Sequence, residues 1–265
     1  MSDTSIYPTR SFREFLTRYE HHKPQEEAPL TVLYIHGLAS NPWGRKPEAV
    51  KSVCEQLGLN FYRFELLGHG IDAANYEKTD LDLWKEQILD IIDHHISGNF
   101  IIVGHCIGGW LGLMAAQERG ERLKGIVCTS TAPNLVELMD MQVKPEQRQE
   151  LESNGKVIVK IERMVFTFTR SFIASGLKNA ILNQPDIPIT CPVHLIQGLK
   201  DTFIDWRVIF RIAAKLRSDK VAIKLLKNSN HHLQHPLDLE EINNSLRSIV
   251  AVSYTHLRAH ETAAN

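Results

Sequence analysis

An α/β architecture, with a mostly parallel sheet and helices on both faces, is what this sequence predicts, on three observations. Apolar, β-branched runs alternate with amphipathic helical patterns along most of the chain. One run passes through a glycine-framed turn directly into a helix. Residues suited to chemistry fall just after the ends of other runs, where an open parallel sheet gathers them.

In chain order, residues 15–21 read as a short strand or helix. Thr31-Val32-Leu33-Tyr34-Ile35 is β-branched and aromatic, a buried strand. Pro47 opens a helix to 57 with Ala49, Val50, Val53 and Leu57 on one face. Residues 60–64 form a strand, and Gly68-His69-Gly70 a turn. Asp80 caps a helix to 96 whose Leu81, Trp84, Ile88, Ile91 and Ile92 recur at helical spacing. The strand from Phe100 follows, then a helix to 119 and a strand over 123–129. From 134 to 183 no strand run separates the candidate helices at 135–141, 146–153 and 159–175, so a helical lid is expected there. Strands at 193–198 and 221–226 and helices at 204–216 and 239–250 complete the alternation.

The turn is Gly104-His105-Cys106-Ile107-Gly108. A strand that bends sharply into a helix brings backbones close, and side chains at Gly104 and Gly108 would clash. The bend presents Cys106 at the top of the sheet, at the positive end of a helix. The rival reading is an inert core thiol. A nucleophile needs a base, an acid to orient that base, and donors for the oxyanion. Asp201 follows one strand and His231 follows the next, in the order nucleophile, acid, histidine. Asp205 rivals Asp201, which is also a candidate helix cap; His232 and His235 rival His231, which is preferred. The N–H of Ile107 and, from the loop after the first clear strand, of Leu38 are the expected oxyanion donors. His36 and Gly37 shape that loop, His36 through hydrogen bonds and not proton transfer. The role of His69 stays open.

Composition narrows the partners. The chain has 265 residues, 43% hydrophobic and 23% charged, with a formal net charge of −1, which makes no case for nucleic acid or an anionic membrane. Its four cysteines have neither disulfide nor zinc spacing, which suggests a reducing, cytoplasmic setting. No metal, no cofactor, no secretory leader and no membrane span is expected. The oligomeric state is left open. Residues 252–262 resemble the translation of a transposon adapter used in sequencing libraries. The domain is therefore taken as 1–251, the tail 252–265 is set aside, and His256 and His260 enter no site.

From about 31 to 250 the chain resembles an α/β-hydrolase. It is similar to the abhydrolase-domain enzymes described as palmitoyl-protein thioesterases and acyl-glucuronide esterases. The resemblance rests on Ile35-His36-Gly37-Leu38-Ala39-Ser40, Arg63-Phe64 with Gly68-His69-Gly70, and Gly108-Gly109-Trp110-Leu111. It continues through Cys191 to Asp201, Trp206 and Ser229-Asn230-His231. It implies a Cys106, Asp201, His231 triad, a lid and acyl hydrolysis, on a small-molecule or acylated-protein substrate. Two departures stand out: Cys106 replaces the group's serine, and Glu65 its aspartate. A cysteine at the elbow implies activated esters or thioesters, because a thiolate that adds to an alkyl ester is the better leaving group. The runner-up is a lactone hydrolase like the dienelactone hydrolases. A degenerate hydrolase that binds an acyl ligand or a partner is the non-enzymatic alternative.

Overall fold

The expected strands line up in one sheet. The computed structural model describes residues 6–26, 28–133, 135–137, 144–161 and 164–264. Its strands are β1 (Thr9–Phe12), β2 (Phe15–His22), β3 (Leu30–Ile35), β4 (Asn60–Phe64), β5 (Asn99–His105), β6 (Leu123–Thr129), β9 (Val193–Gly198) and β10 (Val221–Leu226), with β7 and β8 outside this sheet. They form an eight-stranded sheet in the order β1-β2-β4-β3-β5-β6-β9-β10. The β1–β2 and β2–β4 pairs are antiparallel, and every other pair is parallel. The segment at 15–21, open between strand and helix, is thus strand.

Side chains alternate across this sheet with a two-residue period, and each face has its own core. Leu33, Ile35, Phe100, Ile102 and Leu195 face α2 (Leu81–His94) and α3 (Ile107–Glu118). Val32, Tyr34, Ile101, Val103 and Ile196 face α1 (Arg45–Leu57) and the last helix, through Val50, Ile242 and Ile249. The Asp80 carboxylate accepts from Leu83 N at 2.9 Å and starts α2 as expected.

Between β6 and β9 the expected all-helical lid is corrected. α4 (Pro145–Asn154) forms near 146–153, but 159–175 is not one helix. β7 (Lys156–Ile161) and β8 (Met164–Thr169) pair as an antiparallel hairpin, followed by α5 (Arg170–Lys178). The cause is period. Val157, Ile158 and Val159 are consecutive β-branched residues, while Phe166 and Phe168 turn inward and Val165 outward. Beyond 137 the helix expected at 135–141 lies outside the described residues. α6 (Val208–Lys215) is shorter than expected, and α7 (Pro236–Ala264) is longer, running through the adapter-like residues.

Candidate active site

The strand-to-helix bend has the anticipated shape. Cys106 has φ 54°, a left-handed conformation that a side chain adopts at a cost of roughly 1–3 kcal/mol. Close packing imposes it. A Cβ on Gly104 would come within 2.5 Å of the Gly108 carbonyl oxygen, and a Cβ on Gly108 within 2.3 Å of the Ile35 carbonyl oxygen. Cys106 is the residue before the first turn of α3 and lines a cavity of about 130 Å³.

His231 lines the same cavity, and Asp201 lies buried behind it. Asp201 lies beyond β9, and its carboxylate is fully engaged. Oδ1 accepts from Phe203 N and Ile204 N, both at 2.9 Å. Oδ2 accepts from His231 Nδ1 at 2.8 Å and from Gln197 Nε2 at 2.7 Å. Asp201 is therefore not the cap of α6, whose preceding residue is Arg207. His231 lies beyond β10; Ser130 Oγ donates to its carbonyl at 2.8 Å and fixes its place. Its ring shares the cavity wall with Cys106.

Charge follows geometry. Burial opposes the imidazolium of His231, but the Cys106 and Asp201 charges and the Asp201 hydrogen bond outweigh it and hold the group up at about 9. Burial would raise the Asp201 carboxyl; His231 and the two backbone donors keep it below the usual carboxylate range. The rivals are exposed. Asp205 is exposed and pairs with Arg207. His232 is exposed at the cavity rim, and His235 is exposed, its N–H donating to Asp238.

The loop after β3 forms the opposite wall. Leu38 lines the cavity. Among the described residues, neither Leu38 N nor Ile107 N donates to another group, so both remain available to an oxyanion. His36 Nδ1 donates to Gly37 O at 2.8 Å, and Nε2 accepts from Leu66 N at 2.9 Å. Burial, then the neighbouring His69, lowers His36 to about 3, so it stays neutral and structural. Gly37 lies against Cys106 and His105.

Three groups went unassigned by sequence reasoning. His69 Nδ1 donates to Leu67 O, and Nε2 accepts from Ala39 N at 3.3 Å, so it braces the residue after Leu38. Its Gly-His-Gly turn signalled a loop, not the loop's partner. His105 lines the cavity 5.3 Å from the His231 ring, with Nδ1 turned to Thr129. Lys46 is buried in the first turn of α1; burial lowers it to about 7 against the pull of Cys106 and Asp238. A lysine at a helix start reads as solvated, so nothing in the sequence marks it.

The lid roofs the site. Leu135, Phe166 and Phe168 complete the cavity, and Phe203 lies 5.0 Å from the His231 ring. A wider pocket of about 390 Å³ shares Ala39, Ser40 and Phe166 with it and extends to His69 and Tyr76.

Known proteins share this fold. Residues 31–157 fit the family described as alpha/beta hydrolase fold. The palmitoyl-protein thioesterase ABHD10, mitochondrial, of Homo sapiens is 31% identical over 212 residues, which is 79% of this chain and 69% of that protein. The chain belongs to the α/β-hydrolase family. The solved mouse alpha/beta hydrolase domain-containing protein 10 superposes on this hydrolase with TM-score 0.82 at 28% identity, over 92% of this chain and 98% of that one. A putative hydrolase from Agrobacterium vitis S4 does so with TM-score 0.85 at 24% identity, over 92% and 97%, a likeness of fold. Among the described residues no helix is long and apolar enough to cross a membrane.

Proposed function

We propose that this hydrolase cleaves activated esters and acyl thioesters through Cys106, His231 and Asp201. The observation that carries the reading is the 2.8 Å hydrogen bond between Asp201 Oδ2 and His231 Nδ1, with His231 and Cys106 together on the wall of one apolar cavity. The thiolate of Cys106 attacks the carbonyl carbon, and the N–H groups of Leu38 and Ile107 receive the oxyanion. The imidazolium of His231 gives its proton to the leaving group, leaving a thioester on Cys106. The now neutral His231 takes a proton from water, whose oxygen attacks that thioester; the C–S bond breaks, the acid leaves, and Cys106 returns as thiolate beside the imidazolium. Asp201 holds the ring and offsets its charge.

The substrate class follows from the sulfur. An alkoxide leaves less readily than the attacking thiolate, so adducts of simple alkyl esters fall back. Thioesters, aryl esters and acyl glucuronides go forward. The palmitoyl-protein thioesterase activity in the human relative's name lies in this class. The inner cavity, walled by Phe166, Phe168 and Phe203, suits the acyl group, and the wider pocket suits the leaving group. The substrate is a small molecule or an acylated protein. A reducing compartment such as the cytoplasm keeps the thiol free, as all four cysteines are here, although the named relatives are mitochondrial.

A panel of aryl esters, acyl thioesters and alkyl esters tests this against wild type, Cys106→Ala, Cys106→Ser and His231→Ala. Wild type should turn over thioesters and aryl esters, and the alanine variants should not. Cys106→Ser should gain on alkyl esters relative to thioesters; no such gain would refute the leaving-group argument. Iodoacetamide at neutral pH should label Cys106 stoichiometrically, and a substrate analogue should protect it.

A further inference from the structure

β9 is flanked on both sides in the sheet, and Gln197 is its penultimate residue, in register with Leu225 of β10 and without exposed surface. By the alternation of a strand it shares a face with Leu195, a member of the apolar core. A buried amide belongs in such a place only when both ends are paired. Nε2 is paired, with Asp201 Oδ2 at 2.7 Å. Oε1 is buried and has no hydrogen-bond partner among the described residues. Turning the amide over would set Oε1 against a carboxylate oxygen, two acceptors face to face, so the carboxylate fixes its orientation. A leucine would occupy similar space without stranding an oxygen. The chain instead keeps a donor aimed at Asp201.

The oxygen it reaches is the one that accepts from His231 Nδ1. We propose that Gln197 is a positioning residue of the hydrolytic site: by donating to Asp201 Oδ2 it fixes the carboxylate rotamer and draws off charge that would otherwise fall on His231. This rests on the triad reading above. A carboxylate leans on its other donors more strongly when the imidazole is neutral, because an imidazolium already satisfies it. The amide therefore favours the neutral ring. It keeps His231 acidic enough to release its proton to a leaving group, where an unshared Asp201 would hold that proton back.

The test uses the full chain as wild type, Gln197→Leu and Gln197→Glu. The His231 ring is titrated by NMR with labelled histidine, assigned with His231→Ala, and the pH–rate profile of an aryl thioester is recorded. Gln197→Leu should move the His231 titration upward by about one pH unit. Its kcat should fall most on substrates with poor leaving groups, while KM stays within about twofold. Gln197→Glu carries its own control: its carboxyl donates to Asp201 while protonated, so behaviour near wild type should return at low pH and vanish as the group ionises. That comparison within one protein stands even if Gln197→Leu fails to fold. An unmoved titration and pH profile in folded Gln197→Leu, or a Gln197→Glu variant with no such pH-dependent recovery, overturns the proposal. Failure of the triad reading looks different: hydrolysis would survive in Cys106→Ala and His231→Ala.

Discussion

The elbow and the lid meet across one cavity and are built on opposite terms. At the elbow, backbone meets backbone: a single added carbon on Gly108 would sit 2.3 Å from the Ile35 carbonyl oxygen. Nothing there can yield without moving the sheet. The hairpin of the lid is tied down differently. Lys156 pairs with Glu77 at 2.7 Å and, just beyond the hairpin, Lys178 with Asp82 at 2.9 Å, both near the surface. A carbon added at Gly155, where the hairpin begins, would meet nothing within 4 Å. Its inner face contributes aromatic side chains: Phe166 stacks on Phe168 and Phe168 packs on Phe172. The division separates two tasks. On the proposed reading, the groups that hold a reacting atom stand on closely packed backbone, and those that meet the substrate stand on side chains over a hairpin tied by surface pairs.

The largest effect should come from the fixed side. Cys106→Ala and His231→Ala should each lower kcat/KM on an aryl thioester by about a thousandfold or more. Next is a matched pair of glycines. Gly108→Ala should destabilise the fold by about 2–4 kcal/mol in urea unfolding, because backbone must move to admit the methyl. Gly155→Ala has space but a φ of 75°, so about 1 kcal/mol is expected, with activity kept. Equal losses at both sites would erase the contrast between elbow and lid.

Proton linkage probes the fixed side without a mutation at the bend. His231 is raised from 6.5 to about 9 in the folded chain. A group raised on folding stabilises the native state fully below its unfolded value and loses that contribution as pH rises through the folded one. Wild type should therefore lose stability between about pH 6.5 and 9 relative to His231→Gln, and turnover should decline above pH 9 as the imidazolium proton is lost. A stability difference that stays flat across that window would mean that the ring is not held as a cation.

The same contrast governed what the sequence revealed. β4, β6, β9 and β10 have the boundaries their residues suggest, since buried strands are dense apolar runs cut off by glycine or polar turns. That Cys106, Asp201 and His231 would lie near one another was legible through the rule that a parallel sheet collects its strand-end loops at one edge. Asp201 was preferred to Asp205, which the sequence sets deeper in the following helix, and in the fold it is Asp201 that bonds His231. The hairpin was missed because its apolar residues were counted without their period. Lys46, His69 and Gln197 were hidden for another reason. Lys46 and His69 meet partners far along the chain, Cys106 with Asp238 for the first and Ala39 for the second, and Gln197 meets Asp201 four residues on only because a tight turn follows β9; by composition alone they read as a helix-start lysine, a turn histidine and a strand residue.

Smaller effects belong to the lid. Phe166 borders both pockets, so Phe166→Ala should merge them and change the ratio of kcat/KM between short and long acyl thioesters by roughly tenfold. The wild-type order of acyl preference, unchanged, would move specificity from the lid to the sheet side.

Lys156→Ala should do least. The Lys156–Glu77 pair is about half exposed at both ends, with side chains 44% and 49% accessible, so water and salt screen it and its loss should cost no more than about 0.5 kcal/mol. If the aromatic face seats the hairpin, Tm and KM of the variant should match wild type at low salt and at high salt alike. A several-fold rise in KM that high salt reproduces in wild type would show that charge holds the lid closed. The lid would then be an electrostatic latch, and its aromatic wall a lining that takes its position from the surface pair.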